Sequence, residues 1–150
     1  MPVRHVTCRP AHDADTAFAL KTHHAALRDV IIATYGPWND AAQDRYFLAS
    51  WSEGGFDIIL ADNVPAGYCR MLRLGAQEVE LRDLIIHPDH QNRGIGTRIL
   101  TEEITQARTR GDALLVKTQR VNRAQYLYAR CGFAVIGHTA THVLMRIPPG

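Results

Sequence analysis

Apolar residues recur along the chain with two periods, one typical of helices and one of strands. Helical spacing is found in four segments: Asp13 to about Tyr35, Asn39 or Asp40 to Trp51, Gly94 to about Arg110, and Arg123 to Arg130. Short apolar or β-rich runs predict seven strands: Val3 to Cys8, Phe56 to Ala61, Ala66 to Leu74, Val79 to Ile86, Ala113 to Thr118, Phe133 to Gly137, and His142 to Ile147. This order predicts a mixed α/β fold in a single domain, residues 1–150.

The same spacing predicts which face of each helix is buried. The predicted buried residues are Ala17, Leu20, Leu27 and Ile31 in the first helix, Ile95, Ile99, Ile104 and Ala107 in the third, and Ala124, Leu127, Tyr128 and Cys131 in the fourth. Asp62-Asn63 is a hairpin signal between two strands, and Gly132 stands where a left-handed helix cap is expected.

Composition narrows the class of protein. The chain has 150 residues, of which 46% are hydrophobic and 21% charged, and its net charge is +2. These values are ordinary for a globular domain and favour neither a nucleic-acid nor a membrane partner. Cys8, Cys69 and Cys131 are odd in number and widely spaced, so they predict reduced thiols rather than a disulfide framework. With no apolar run in residues 1–10, we expect a cytoplasmic protein.

The segment from Leu84 to Gly96 runs from a strand into a helix through two glycines, Gly94 and Gly96. A helix start offers unpaired N–H groups and the positive end of a dipole, and glycines let a ligand approach the backbone. The pattern therefore predicts a pyrophosphate site, to which Arg93 could contribute charge. A dinucleotide fingerprint is excluded because Ile99 replaces its third glycine, and a P-loop because Arg98 follows Thr97. The alternative is a tight turn without a ligand.

Two blocks of residues resemble a known family. Gln91-x-x-Gly94-x-Gly96 is similar to the coenzyme A signature of the GNAT acetyltransferase superfamily, and Asn122-x-Ala124-x-x-x-Tyr128-x-x-x-Gly132-Phe133 is similar to its later motif. The specific motifs cover Glu80 to Phe133. The resemblance implies about seven mostly antiparallel strands with a central splay, four helices, and acetyl-coenzyme A as the acetyl donor without a metal.

The resemblance also implies the residues that bind the cofactor. They are Leu84, Ile85, Ile86, Gln91, Asn92, Arg93, Gly94, Ile95, Gly96, Thr97, Asn122 and Tyr128. A backbone amide near Leu84 or Ile85 would polarise the thioester carbonyl, which is oxyanion stabilisation. Asn122 has an equally good alternative role as the N-cap of the fourth helix.

Acetyl transfer requires a neutral amine, so a proton acceptor is needed near neutral pH. By resemblance Glu80 is the first candidate for this base, with Asp83 and Glu78 on the same strand, or ordered water, as alternatives. These acids could equally be solvated strand charges. Tyr128 resembles the family's general acid, which protonates the departing thiolate; the alternative is an aromatic residue in the core.

The family usually forms its acceptor pocket from the first two helices and their connection. Tyr35 and Trp38, together with Glu80, are therefore candidates for substrate binding, although core packing also explains the two aromatic residues. The sequence leaves the acceptor open among small-molecule amines and peptide or protein amines. Relatives of this size are commonly dimers, so a homodimer is one of the assemblies that the resemblance allows, and the sequence leaves the oligomeric state open.

The prediction for function is transfer of an acetyl group from acetyl-coenzyme A to a primary amine by direct attack in a ternary complex. Cys131, the sole cysteine of the motif region, lies at a helix end, which disfavours a covalent acetyl-cysteine intermediate. The alternative hypothesis is a non-catalytic module that binds acyl-coenzyme A or regulates another protein.

Overall fold

The computed structural model describes residues 2–150 and contains four α-helices and seven β-strands within them. The helices are α1 (Thr16–Tyr35), α2 (Asp40–Ser52), α3 (Ile95–Arg110) and α4 (Ala124–Arg130). The strands are β1 (Val6–Pro10), β2 (Phe56–Ala61), β3 (Val64–Gly75), β4 (Glu78–Ile86), β5 (Ala113–Gln119), β6 (Ala134–His138) and β7 (His142–Ile147). Both the order and the type of these elements confirm the prediction, while β1 begins three residues later than predicted.

The strands form one sheet in the order β1-β2-β3-β4-β5-β7-β6. β4 and β5 are parallel, whereas β1 with β2, β2 with β3, β5 with β7, and β6 with β7 are antiparallel. The register of β4 on β5 runs from Glu78 opposite Ala113 to Leu81 opposite Val116, and each strand then continues beyond that pair. The mixed α/β fold predicted from the sequence is therefore observed.

Backbone contacts divide the chain into two compact units, and this division cuts β3 and β4. The first unit comprises residues up to Arg70 together with Asp83–Ile95. Its core is built from one helical residue of α1, one of α2 and three sheet residues, namely Ala19, Phe47, Phe56, Ile58 and Tyr68. Ile85 of β4 packs against this cluster.

The second unit comprises Met71–Arg82 and Gly96–Gly150. Cross-strand register aligns Val79, Leu114 and Ile147, all of which are buried. One residue along, Glu80 aligns with Leu115 and Arg146, which are only partly buried. Because side chains alternate across a strand, one face of this part of the sheet is apolar and buried while the other keeps polar groups accessible.

The buried face of α1 differs from the predicted one. Of the four residues predicted there, Ile31 is buried, while Ala17 is exposed and the other two are partly buried. Thr22 and His23 are buried instead. Both are satisfied internally, because the Thr22 hydroxyl donates to the Phe18 carbonyl at 2.9 Å and His23 Nε2 lies 3.1 Å from Gln43 Oε1. A polar side chain with a partner can be buried at little cost, and an apolar-only pattern cannot anticipate that.

Two other local predictions are confirmed. Asp62 and Asn63 have φ of 48° and 67°, which is the left-handed backbone that a two-residue hairpin turn requires. Gly132 after α4 has φ of 108°, so the predicted glycine cap is also present. On α3 the predicted residues Ile95, Ile99, Ile104 and Ala107 are all buried.

Candidate functional site

The turn between β4 and α3 is shaped by left-handed backbone at two positions. After a 3₁₀ turn at Pro88–His90, Asn92 has φ of 62° and Gly94 has φ of 78°. α3 then begins at Ile95, one residue later than predicted. A Cβ at Gly94 would meet no heavy atom within 4 Å, so the space beside this glycine is open.

Hydrogen bonds hold the turn in its conformation. Gln91 Nε2 donates to the carbonyl oxygen of Ile86 at 2.9 Å, and the amide of His87 donates to the carbonyl of Ala66 at 2.8 Å. Arg93 Nη1 lies 3.3 Å from His90 Nδ1. Gln91 therefore has a structural role in closing the turn onto the end of β4, in addition to the cofactor role that the resemblance implies.

The two glycines of the motif, Gly94 and Gly96, are required for different structural reasons. Gly94 is required by its backbone angle. Gly96 lies in the first turn of α3, and a Cβ there would lie 3.2 Å from Leu127 Cδ2, so this glycine permits close packing on α4. The first N–H groups of α3 have no carbonyl partner within the helix, and together with the open space at Gly94 they fit an anionic ligand such as a pyrophosphate.

The last residues of β4 lie very close to β3. A Cβ built on Gly67 would overlap the carbonyl oxygen of Ile85 and come within 3.0 Å of the Ile86 Cα. Only glycine allows this spacing at position 67. The backbone of Ile85 and Ile86, where the resemblance implies contacts with the pantetheine arm, is thus held by a residue that the sequence motifs did not include.

Both candidate bases are engaged by arginines. Glu80 forms an ion pair with Arg82, and its side chain is 14% exposed. Asp83 Oδ2 accepts from Arg70 Nε at 3.2 Å, and its side chain is 29% exposed. Glu80 belongs to the second unit and Asp83 to the first. Sequence reasoning missed Arg70, because nothing in its local pattern distinguishes a buried arginine on β3 from an exposed one.

Tyr128 and Asn122 lie at opposite ends of α4 and its preceding turn. Tyr128 is 7% exposed, and its ring contacts that of Phe133 edge to face at 5.7 Å between centroids. The Oδ1 atom of Asn122 accepts from the amide of Ala124 at 2.9 Å. The N-cap position of α4 is held by Arg123 rather than by Asn122 as anticipated, because the helix begins one residue later, but the Asn122 side chain still satisfies the first amide of the helix. The packing anticipated for Tyr128 is also present.

The acceptor candidates Tyr35 and Trp38 lie in different surroundings. Tyr35 is 61% exposed, so it is not a core residue. Trp38 Nε1 donates to Asp40 Oδ1 at 2.6 Å, and its ring contacts His24 at 5.1 Å between centroids. An open cavity of about 380 Å³ lies nearby on α1 and α2, and its lining residues are Leu20, Lys21, His24, Ala25, Arg28 and Asp44.

Two histidines of α1 were not among the predicted site residues. His24 Nε2 lies 2.6 Å from Asp44 Oδ1, within hydrogen-bond distance. Burial is the main reason that the pKa of His23 is lowered, and hydrogen bonding to Gln43 opposes the shift. Among residues 2–150 no cluster of three or more His, Cys, Asp or Glu side chains is arranged to hold a metal ion. No helix within the same range has the length and apolar character needed to cross a membrane.

Comparison with known proteins gives the family. The model of the Acetyltransferase (GNAT) family matches residues 9–133. The L-amino acid N-acyltransferase MnaT of Escherichia coli (strain K12) is 27% identical over 134 residues, covering 79% of this chain and 78% of the relative.

Solved structures share the fold over almost the whole chain. One is the PaiA N-acetyltransferase of Thermoplasma acidophilum in complex with coenzyme A, with a TM-score of 0.72, 16% identity, and coverage of 97% of this chain and 99% of the other. Another is yncA, a putative acetyltransferase of Salmonella typhimurium with its cofactor acetyl-CoA, with a TM-score of 0.62, 20% identity, and coverage of 98% and 95%. The match to the family model spans well over half of the sequence and includes both motif blocks, so this chain belongs to the GNAT family of acetyltransferases.

Proposed function

We propose that this acyltransferase moves an acetyl group from acetyl-coenzyme A to a primary amine by direct attack in a ternary complex. The observation that carries the proposal is the turn at Asn92 and Gly94, whose left-handed backbone leads into the N-terminus of α3 beside open space. Relatives support the choice of donor, since structures with the same fold contain coenzyme A or acetyl-CoA.

The phosphates would be held by backbone rather than by a single side chain. The N–H groups of the first turn of α3 and the positive end of its dipole favour an anion, and Arg93 adds a cation. The proposed contacts of the first unit are Leu84 to Ile86 and Gln91 to Ile95. Those of the second unit are Gly96, Thr97, Asn122 and Tyr128.

The reaction forms a carbon–nitrogen bond, breaks the carbon–sulfur bond and moves two protons. The neutral amine attacks the thioester carbon, the carbon–sulfur bond breaks, and the thiolate leaves. A backbone amide at Leu84 or Ile85 would stabilise the oxyanion, and Tyr128 would protonate the thiolate. The ammonium proton passes to Glu80, to Asp83 or to water. Arg82 lies beside Glu80 and Arg70 beside Asp83, so an oxygen of each carboxylate is already engaged by an arginine, and this favours water as the acceptor.

The acceptor class is drawn from the relative. MnaT is an L-amino acid N-acyltransferase, so L-amino acids and other small primary amines form the first acceptor panel for this chain. Peptide amines form the second panel.

Cofactor binding is tested by thermal unfolding with and without acetyl-coenzyme A, using ATP and NAD as controls. At a ligand concentration of about 100 times Kd, binding adds about 2.7 kcal/mol to the free energy of unfolding. That corresponds to a rise of roughly 5–10 °C in Tm for a domain of this size. Absence of a shift at saturating acetyl-coenzyme A would refute the proposal.

Catalysis is tested by thiol release from acetyl-coenzyme A with the two acceptor panels. We expect release with at least one amine, and a lower kcat in Tyr128→Phe because the departing thiolate loses its proton donor. Phenylalanine keeps the edge-to-face packing on Phe133 and removes only the hydroxyl. The unfolding midpoint of Tyr128→Phe is measured alongside, which separates a loss of stability from a loss of catalysis. If acetyl-coenzyme A binds but no amine of either panel causes thiol release, the protein is a non-catalytic module that binds acyl-coenzyme A.

A further inference from the structure

Aromatic, acidic and basic side chains meet where α1 connects to α2. Trp38, in the connection, donates from Nε1 to Asp40 Oδ1 at 2.6 Å, and Asp40 is the first residue of α2. The ring of His24 on α1 meets the Trp38 ring edge to face, with 5.1 Å between centroids. The guanidinium carbon of Arg28 lies 5.6 Å from the centre of the same indole. We call His24, Arg28, Trp38, Asp40 and Asp44 the helix clasp, and all five belong to the first unit.

His24 places each of its ring nitrogens near a different carboxylate of α2. Nε2 lies 2.6 Å from Asp44 Oδ1, which is a hydrogen-bond distance, and Nδ1 lies 3.8 Å from Asp40 Oδ1, which is an ion-pair distance. An ionised carboxylate only accepts hydrogen bonds, so Nε2 carries a proton. A neutral imidazole has one N–H, which leaves Nδ1 without a proton in front of Asp40. Only the imidazolium has an N–H at both nitrogens and can donate to both carboxylates.

The charged and titratable groups that face His24 come from both helices. On α2 they are the two carboxylates of the helix clasp, and on α1 they are Lys21 and Arg28, which line the same open cavity as His24. His23 is the other titratable neighbour, with its ring centroid 6.0 Å away. Burial is the main cause that lowers the pKa of His23, so this ring stays neutral where an ordinary histidine takes up a proton. Because both carboxylates lie within 3.8 Å of the His24 nitrogens, a charge on that ring is compensated at short range.

We propose that His24 is a pH-sensitive positioning residue, whose protonation strengthens the helix clasp, fixes Trp38 and tightens acceptor binding. Histidine ordinarily changes its charge between about pH 8 and pH 5. The protonated ring donates to Asp44 and Asp40 at once, so it joins α1 to α2 beside the oxygen that accepts from Trp38. The neutral ring keeps only its bond to Asp44, and the connection between the helices is then freer to move. The link to the acceptor rests on the proposed function and on the candidate role of Trp38 in substrate binding.

Three substitutions separate charge from hydrogen bonding in the helix clasp. His24→Gln keeps an N–H that can donate to Asp44 but cannot become cationic, so it resembles the neutral ring at every pH. Asp40→Asn keeps an acceptor oxygen for Trp38 Nε1 and removes the charge that His24 Nδ1 faces. Both variants should therefore weaken or abolish the response to pH. His5→Gln is the matched control, because His5 is an exposed histidine outside the clasp.

The first measurement is tryptophan fluorescence from about pH 8 to pH 5, with no ligand present. An imidazolium in contact with an indole quenches its fluorescence more strongly than a neutral imidazole does. The chain has two tryptophans, so Trp38→Phe identifies the source of the signal. We expect the wild-type fluorescence to fall in one transition that persists in His5→Gln and disappears in His24→Gln and in Trp38→Phe. A transition that survives His24→Gln would overturn the inference.

The second measurement is amide hydrogen exchange in residues 36–40, which reports motion of the connection. Wild type and His24→Gln are compared at the same pH, so the intrinsic pH dependence of exchange cancels. Because partly exposed ion pairs contribute modestly, we expect exchange about 2–5-fold slower in the wild type at pH 6 and a smaller difference at pH 8. Equal rates at both pH values would overturn the inference. The unfolding midpoint is measured for each variant, and Asp40→Asn takes the place of His24→Gln in this comparison if the latter is globally destabilised.

The link to the acceptor is tested with an amine that the thiol-release assay identifies. Ionisation of the amine is the same for both proteins, so the ratio of the acceptor KM in His24→Gln to that in the wild type reports the helix clasp alone. We expect this ratio to be about 2–5-fold higher at pH 6 than at pH 8, and a constant ratio would overturn the link to the acceptor. Absence of acetyl-coenzyme A binding, or of thiol release with any amine, would overturn the proposed function and this link with it. Fluorescence and hydrogen exchange still decide the clasp in that case, because they are measured without ligands.

Discussion

The close approach of β3 to β4 at Gly67 predicts a large effect for a single added methyl group. A Cβ at this position would overlap the Ile85 carbonyl oxygen and lie 3.0 Å from the Ile86 Cα and 3.1 Å from the Ile85 carbonyl carbon. All three atoms are backbone, so no side-chain rotation can relieve the overlap. Overpacking in a core typically costs 1–3 kcal/mol, and we expect Gly67→Ala to cost about 3 kcal/mol because the strands themselves must separate.

Urea or thermal unfolding measures this cost directly. For a domain of this size about 3 kcal/mol lowers Tm by roughly 6–12 °C. Gly137→Ala is the matched control, because Gly137 is also a strand glycine but a Cβ there would meet nothing within 4 Å. We expect the control to change stability by less than about 0.5 kcal/mol.

The same substitution also tests the proposed pantetheine contact. If the backbone of Ile85 and Ile86 binds the cofactor, the displaced strand should weaken acetyl-coenzyme A binding by more than Gly137→Ala does. A Gly67→Ala protein as stable as the wild type would refute the steric reasoning. A Gly67→Ala protein that is destabilised but binds acetyl-coenzyme A as tightly as the wild type would support the steric reasoning. It would also show that this part of the strand does not contact the cofactor.

Three further predictions concern local backbone and charge. Gly94→Ala should cost about 1–2 kcal/mol in unfolding experiments, since its φ is 78°, whereas Gly94→Asn should cost less; equal costs would contradict a conformational cause. Asn122→Ala should lose about 1 kcal/mol with the hydrogen bond to the Ala124 amide and Asn122→Asp should not, so an alanine variant as stable as the wild type would contradict a stabilising role for that bond. Hydrogen bonding from Arg9 is the main cause that lowers the pKa of Asp15 to about 2, so this carboxylate should contribute about 2 kcal/mol above pH 4 that is lost as pH falls toward 2. Asp15→Asn should therefore flatten the acid limb of a stability–pH curve, and an unchanged limb would contradict the assignment.

Local patterns were sufficient for most of the elements. β2 and β7 have the predicted bounds, and the glycine cap and the Asp62-Asn63 hairpin follow from backbone angles that few residue types adopt. The face of α3 was also predicted, since its apolar residues repeat with the period of the helix. The face of α1 was not, because His23 and Thr22 are buried through partners that include Gln43 on another helix.

The candidate site also has parts that the sequence predicted and parts that it did not. The phosphate-binding turn could be found from sequence because its residues are contiguous and its glycines satisfy local constraints. Arg70 could not, since its role depends on Asp83 and on Glu53, which are 13 and 17 positions away along the chain. Gly67 was missed for the same reason, because only the position of Ile85 on the neighbouring strand explains why no side chain fits there.

The sequence by itself therefore determined the order of helices and strands, the turn that leads into α3, and the resemblance to acetyltransferases, since each depends on residues close together in the chain. Only the tertiary structure decided which residues of α1 are buried, which arginines pair with Glu80 and Asp83, and how closely β3 approaches β4. Burial and ion pairing are properties of distance in space, and folding brings together groups whose separation along the chain carries no information about their contact.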